Sequence, residues 1–236
     1  MQNKLYSKYL TTHPFYTNEP FNAEGSFRFI EKNYLPFLPS SKNAKILDIG
    51  CGLGHFLSYV KQKGYTHYSG IDISKEQVDF CKKHVTKKVE LIDILDEFLK
   101  KHKNAFDFIL MNDVIEHIEK KEIITTLSLV LASLKKDGVV LIRTVNLKNR
   151  WGMAVRYMDF THTTGFTEES LKQVLQMAEF SEIVLVSEIH PMHDIKSFIR
   201  VSMKMVFEFF YRLEYIASFG AFHPMLSNML IAVGKK

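Results

Sequence analysis

The chain is poor in cysteine, in tryptophan and in unbroken apolar sequence. Its two cysteines, Cys51 and Cys81, are too few for a disulfide scaffold and do not form a Cys-x-x-Cys pair, so a disulfide-stapled secreted fold is excluded. No stretch reaches the roughly 18 apolar residues of a spanning helix. The opening MQNKLYSKYLTTHPFY lacks the apolar core of a signal peptide. These absences predict a cytoplasmic chain, or one held peripherally at the inner face of a membrane. The formal charge of +5 is mild and scattered, which fits an anionic partner but no nucleic acid. Apolar residues make up 46% of 236, enough to exclude disorder and to fill one substantial core.

What the chain does have is rhythm. Residues 1–43 are aromatic, polar and broken by prolines, with a helical stretch expected at Ala23 to Tyr34, and they read as an N-terminal lid or helical extension. From residue 44 to 236 the pattern is that of one α/β domain. Strands are expected at 45–49, 67–71, 88–92, 106–111 and 138–144, and helices at 54–63, 75–84, 94–100 and 120–135. This alternation predicts a parallel sheet with helices on both faces. Lys63-Gly64 and Lys135–Gly138 read as helix ends, and Ser74 as an N-cap with Gln77 as its reciprocal partner. After Val145 comes a long polar and aromatic connection (146–166). A helix capped by Thr167 follows, then strands at 181–188 and 227–233 around a helical insertion at 191–222.

The run Ile46-Leu47-Asp48-Ile49-Gly50-Cys51-Gly52-Leu53-Gly54-His55 carries a strand into three alternate glycines and then a helix. Such a loop lets a ligand lie against bare backbone. A dinucleotide fingerprint wants its third glycine where His55 stands, and no Walker lysine-serine pair is present, so neither a nicotinamide cofactor nor a nucleotide triphosphate is favoured. Asp72 ends the second strand about twenty residues on, where an acidic group can accept both hydroxyls of a ribose. Asp93 ends the third strand and can take an exocyclic amine, while Ile73 and Ile94 cover a ring's faces. Asn112-Asp113 ends the fourth. All of these fall at carboxyl ends of adjacent strands, where such sheets bind ligands.

Taken together, KILDIGCGLG at 45–54, GIDI at 70–73, Asp93 and NDVIEHI at 112–118 resemble the class I S-adenosylmethionine-dependent methyltransferases. The resemblance covers roughly residues 40–186 and is nearest to small-molecule O-methyltransferases of the ubiquinone-biosynthesis and glycan-cluster types. It implies a Rossmann-like, mostly parallel sheet of seven strands, the last antiparallel. It implies S-adenosylmethionine as cofactor and S-adenosylhomocysteine as product. Asp48, Gly50, Cys51 and Gly52 would surround the methionine half, Asp72 and Ile73 the ribose, and Asp93 and Ile94 the adenine. Asn112 and Asp113 would face the methionine amine, and His117 would lie near the sulfonium. Plainer roles stand beside these: Asp48 as a brace of the loop, Asp93 as a helix cap, Glu116 and His117 as solvent-facing residues. The Asn/Asp-Pro-Pro-Tyr run of base-amine methylation is replaced here by NDVI.

The acceptor side is expected in Arg156–Thr167, which follows the fifth strand. Its D-x-T-H-x-x-x-F-T pattern resembles the acceptor-side segment of small-molecule methyltransferases. His162 is the candidate base or anchor, oriented by Asp159 or a backbone carbonyl, with His117 as a second candidate; tying the loop to the next helix is the plainer role of His162. Tyr16, Arg28, Arg156, Tyr157, His190, His193 and Arg200 are candidate acceptor contacts. His162, His190, His193 and Asp194 lack tight ligand spacing, so no metal is expected. The insertion carries apolar residues at helical spacing beside Lys196, Arg200, Lys204 and Arg212. It is a cover for the sheet, a homodimer seam or a peripheral membrane contact. The expected reaction is methyl transfer to a small-molecule hydroxyl, a sugar, nucleotide-sugar or glycan intermediate first. A quinone-type phenol and an amino-sugar nitrogen follow, with a non-catalytic cofactor-binding partner last.

Overall fold

A computed structural model of the chain describes Tyr6, Tyr9–Thr12, 23–220 and 225–236. Seven strands form one sheet in the order β3-β2-β1-β4-β5-β7-β6. They are β1 (Lys45–Ile49), β2 (His67–Asp72), β3 (Val89–Leu91), β4 (Phe106–Asn112), β5 (Leu134–Val145), β6 (Ser181–Ser187) and β7 (Met229–Lys235). The first five pair in parallel, while β7 runs antiparallel between β5 and β6. The chain therefore reverses its direction of sheet growth between β1 and β4. A crevice opens there at the carboxyl ends, because the connections leave on opposite sides.

Strand alternation sorts the core into two layers. Ile46, Phe108, Leu110, Leu141 and Ile231 face one way, under α2 (Ala23–Asn33), α3 (His55–Gln62) and α4 (Lys75–His84). Leu47, Ile109, Met111, Ile142 and Leu230 face the other, under α5 (Leu95–Lys101), α6 (Ile123–Ser133) and α8 (Glu168–Met177). A short α1 (Tyr9–Thr12), α7 (Gly152–Met158) and the long α9 (Ile195–Phe219) complete the helices among the described residues.

The sequence readings need four corrections here. Ser74 does not cap α4 with its side chain. Asp72 takes over that turn instead, its Oδ1 accepting the Ser74 N–H at 2.8 Å. The 120–135 helix stops at Ser133, and the residues read as its closing turn extend β5 back to Leu134. The connection 146–166 contains a helix, α7, whose Gly152 sits so close to Asn146 that a Cβ would lie 2.3 Å from its carbonyl oxygen. The insertion narrows to one 25-residue helix, capped by Asp194 and Ser197 and closed by Gly220 at φ 69°.

Candidate functional site

The glycine loop is held from both sides. Gly50 and Cys51 donate their N–H groups to the Ile71 carbonyl at 2.9 and 3.1 Å. Gly52 donates to Asp72 Oδ2 at 2.9 Å. Gly50 has φ 69°, and a Cβ there would meet Val114 Cγ2 at 2.5 Å, so both conformation and space demand glycine. Burial raises the Asp72 carboxyl, opposed by the backbone N–H groups of Ser74, Gly52 and Ile73. Asp48 is completely enclosed, and burial together with the neighbouring Asp72 pushes its carboxyl well up.

A cavity of about 1020 Å³ runs from this loop along the strand ends. Asp48, Gly50, Cys51, Gly52, Asp72, Ile73, Asp93, Ile94, Asn112, Asp113 and His117 all line it. Ile73 and Ile94 are large apolar side chains left 39% and 53% exposed on its wall, as two surfaces for a flat ring would be. The donor-and-acceptor set fits S-adenosylmethionine: a carboxylate for ribose, apolar faces for adenine and a bare loop for the methionine end. Ile94, rather than Asp93, stands at the N-cap of α5, and no side chain caps that helix.

Past the loop, a partly buried network fixes the ends of β4, β5 and β6. Arg143 donates to both Asp113 oxygens at 2.6 Å and to Glu188 at 2.7 Å. Asn112 donates to Asp113 at 3.0 Å and accepts a hydrogen bond from the Tyr34 hydroxyl. Burial opposes the charge on Arg143, but Asp113, Tyr34 and Glu188 outweigh it and raise its pKa. Asn33 exchanges two bonds with the backbone of Ile189, at 2.9 and 2.8 Å, tying α2 to the segment after β6.

The far end of the cavity brings His117, Asp159 and His162 together. Thr161, from within the same segment, links two of them. Its hydroxyl donates to Asp159 Oδ1 at 2.6 Å and lies 2.9 Å from His117 Nδ1. The hydroxyl has one proton and Asp159 accepts it, so His117 must carry its own proton on Nδ1. That leaves Nε2 with a free lone pair. Tyr9 donates to Asp159 Oδ2 at 2.5 Å. Burial raises Asp159, but the bonds from Thr161 and Tyr9 outweigh it and bring it to about 2. Burial, then the nearby His162, lowers His117 to about 4. His162 stands edge-on to His117 at 4.7 Å between centroids and lies 3.1 Å from the Arg156 carbonyl through Nδ1. Ligand atoms of His117, Asp159 and His162 lie within 4.8 Å of one another. Both Asp159 oxygens and both Nδ1 atoms already have protein partners.

Glu116 and His117 are not solvent-facing. Glu116 is 1% exposed, and among the described residues neither carboxyl oxygen has a hydrogen-bond partner. Burial, then Asp113, raises it to about 8.

The remaining candidates stand off the cavity wall. Arg28 pairs with Glu24 at 3.1 Å. Arg156 donates to the Thr163 carbonyl at 2.6 Å and lies over the exposed ring of Tyr157. His190 faces Glu188 and His193 faces Asp194, each at 3.5 Å. Arg200 is exposed on α9. Tyr16 lies outside the described residues. Thr161, Tyr9, Tyr34, Arg143 and Glu116 were not singled out as site residues from sequence. Only Thr161 had a usable signal, as the hydroxyl between Asp159 and His162.

Comparison with known proteins agrees with this fold. The chain is 36% identical over 107 residues to a ubiquinone biosynthesis O-methyltransferase of Pelagibacter ubique, covering 44% of this chain and 43% of that one. It therefore spans under half the length of that relative. It is 26% identical over 190 residues to a phosphoethanolamine N-methyltransferase of Plasmodium falciparum, covering 78% and 71%. The crystal structure of a SAM-dependent methyltransferase from Archaeoglobus fulgidus has the same fold, with TM-score 0.67, 21% identity and coverage of 91% and 94%. The methyltransferase domain family matches residues 23–184, and with that span, this sheet order and this crevice the chain belongs to that family.

Proposed function

We propose that the chain transfers a methyl group from S-adenosylmethionine to a hydroxyl of a small molecule, and that a phenol with an apolar tail is the acceptor class. The observation that carries the reading is the Asp159–Thr161–His117 chain of hydrogen bonds, which fixes the imidazole tautomer and leaves Nε2 as the proton-accepting nitrogen of a residue that lines the cavity. The bound cofactor supplies an electrophilic methyl carbon on a positively charged sulfur. The chain's residues align the acceptor oxygen with that carbon and receive its proton at His117 Nε2. A base with a pKa of about 4 is adequate. The hydroxyl becomes strongly acidic only as its oxygen bonds to carbon, and a neutral imidazole is available throughout the neutral range. Asp159 and Thr161 position His117 and favour the imidazolium it becomes, while His162, whose Nδ1 faces the Arg156 carbonyl, flanks the acceptor.

The phenol is favoured by the wall around this base, which includes Tyr6, Tyr9, Val155 and Met158. The ubiquinone O-methyltransferases among the relatives support it. A carbohydrate acceptor draws less support, because Arg156, Tyr157, His190, His193 and Arg200 are not on the wall. An amine is the second reading, favoured by the alignment with the phosphoethanolamine enzyme along most of the chain. A phosphate on such an acceptor would need a cation. Among the described residues of the wall the arginine is Arg143, already held by Asp113 and Glu188. Incubation with methyl-labelled S-adenosylmethionine and a panel of prenylated catechols, nucleotide sugars and phosphoethanolamine tests the assignment. Label is expected in the catechols; label confined to another class would contradict the phenol assignment.

A further inference from the structure

Helix α9 turns its apolar face away from the molecule. At about 100° per residue, Ser197, Val201, Glu208 and Tyr215 share the line toward the body, and Ser197 is its one buried residue. The inward side mixes apolar residues with polar ones: Lys204 lies 3.5 Å from Glu208, and the Tyr211 hydroxyl donates to the Lys148 carbonyl at 3.0 Å. The outward side is not. Val206, Phe207 and Phe210 are 56%, 62% and 62% exposed, and Phe198, Ile199 and Leu213 continue the face in both directions. This arc spans about half the helix circumference. Lys196 and Arg200 run along one edge, with the acid Glu214 on the same flank, and Arg212 stands at the other edge.

Two further observations bear on what covers this face. A two-helix seam uses a narrow stripe, and this arc is wider than such a stripe. At the same carboxyl end of the sheet, α7 and its flanks expose Trp151, Tyr157 and Phe160. Lys148 joins the two regions, since its ammonium lies 5.5 Å over the Tyr215 ring. Aromatic side chains of this kind suit the boundary between water and lipid. Among the described residues no helix is long and apolar enough to cross a membrane, so such a face lies on a bilayer rather than through it.

We propose that α9 docks the chain on an anionic phospholipid bilayer, its apolar face among the upper acyl chains and Lys196, Arg200 and Arg212 at the headgroups. The acceptor end of the cavity, on whose wall Val155 and Met158 of α7 stand, then opens beside the lipid surface.

Vesicle flotation of the full chain tests this and reads no methyl transfer, so its outcome is separate from that of the proposed reaction. The wild type should float with vesicles of phosphatidylcholine mixed with phosphatidylglycerol. Val206→Ser with Phe210→Ser should abolish flotation while leaving the melting temperature unchanged. Lys196→Gln with Arg200→Gln should weaken binding to the anionic vesicles roughly 5- to 30-fold, at about fivefold per basic residue near the surface. A wild type that stays in the aqueous fraction would overturn the proposal, as would variants that float as it does. A dimer in sedimentation velocity that the serine variants dissociate, without vesicle binding by the wild type, would assign the face to a second copy.

Discussion

The two ends of the cavity are built in different ways. The cofactor end is made of strand termini close in sequence, from β1 to β4, and its key bonds run from backbone N–H groups to Asp72 and the Ile71 carbonyl. The end proposed for the acceptor is assembled from Tyr9, the 3-10 turn Ile115–His117 and the segment 159–162, and its key bonds run between side chains. Backbone geometry set by glycine leaves little to vary. Side-chain contacts across long sequence separations can be rearranged without disturbing the sheet. The difference predicts that substitutions at one end change cofactor affinity and those at the other change turnover.

The largest effect expected from that division is on turnover. His117→Ala should lower kcat about 10²–10⁴-fold and leave the dissociation constant of S-adenosylhomocysteine within a factor of two or so. A variant that loses affinity in proportion would merge the two ends into one. Thr161→Val should cost about 10–100-fold in kcat, as loss of an orienting partner does, with His117 still present. Unchanged kcat in that variant would remove the hydrogen-bond chain from the account.

The pH profile sharpens the same point. With His117 at about 4, the base form is lost only as pH falls through that value, so kcat/KM should stay flat from about pH 8 down to about pH 5. An acid limb near the ordinary histidine value would contradict its burial.

The smallest effect concerns stability. The Glu116 pKa is raised from 4.5 to about 8. Its contribution is therefore fully present below about 4.5 and lost as pH rises to about 8. Between these values the wild-type melting temperature should fall relative to that of Glu116→Gln, by something on the order of 10 °C. Parallel curves would mean that Glu116 ionises normally.

How much of this was legible in the sequence follows the same line. The sheet, the glycine loop and the residues at 72, 93 and 112 are read from local pattern, because each lies next to the strand that positions it. The Asp159–Thr161–His117 chain is not local: it depends on a bond across 44 positions. Thr161 therefore read as one hydroxyl among several. Buried Glu116 looked like a surface residue, because its neighbours in a short 3-10 turn give no period to judge by. The helices show a related limit. Both α8 and α9 begin with a capping box, Thr167 with Ser170 and Asp194 with Ser197. Yet α8 buries Leu171 and Leu175 in the core, whereas α9 presents its apolar side outward. Capping and periodicity specify a helix. They do not say which face meets the protein.

The crevice between β1 and β4 is expected to hold the methyl donor, with Asp72 on its ribose. Calorimetric titration with S-adenosylhomocysteine tests this directly, comparing the wild type with Asp72→Ala. A single binding site in the wild type, weakened roughly 10- to 100-fold in the variant by loss of a charged hydrogen-bonding partner, is the predicted result. No heat in the wild type, or equal affinity in the two proteins, would contradict it.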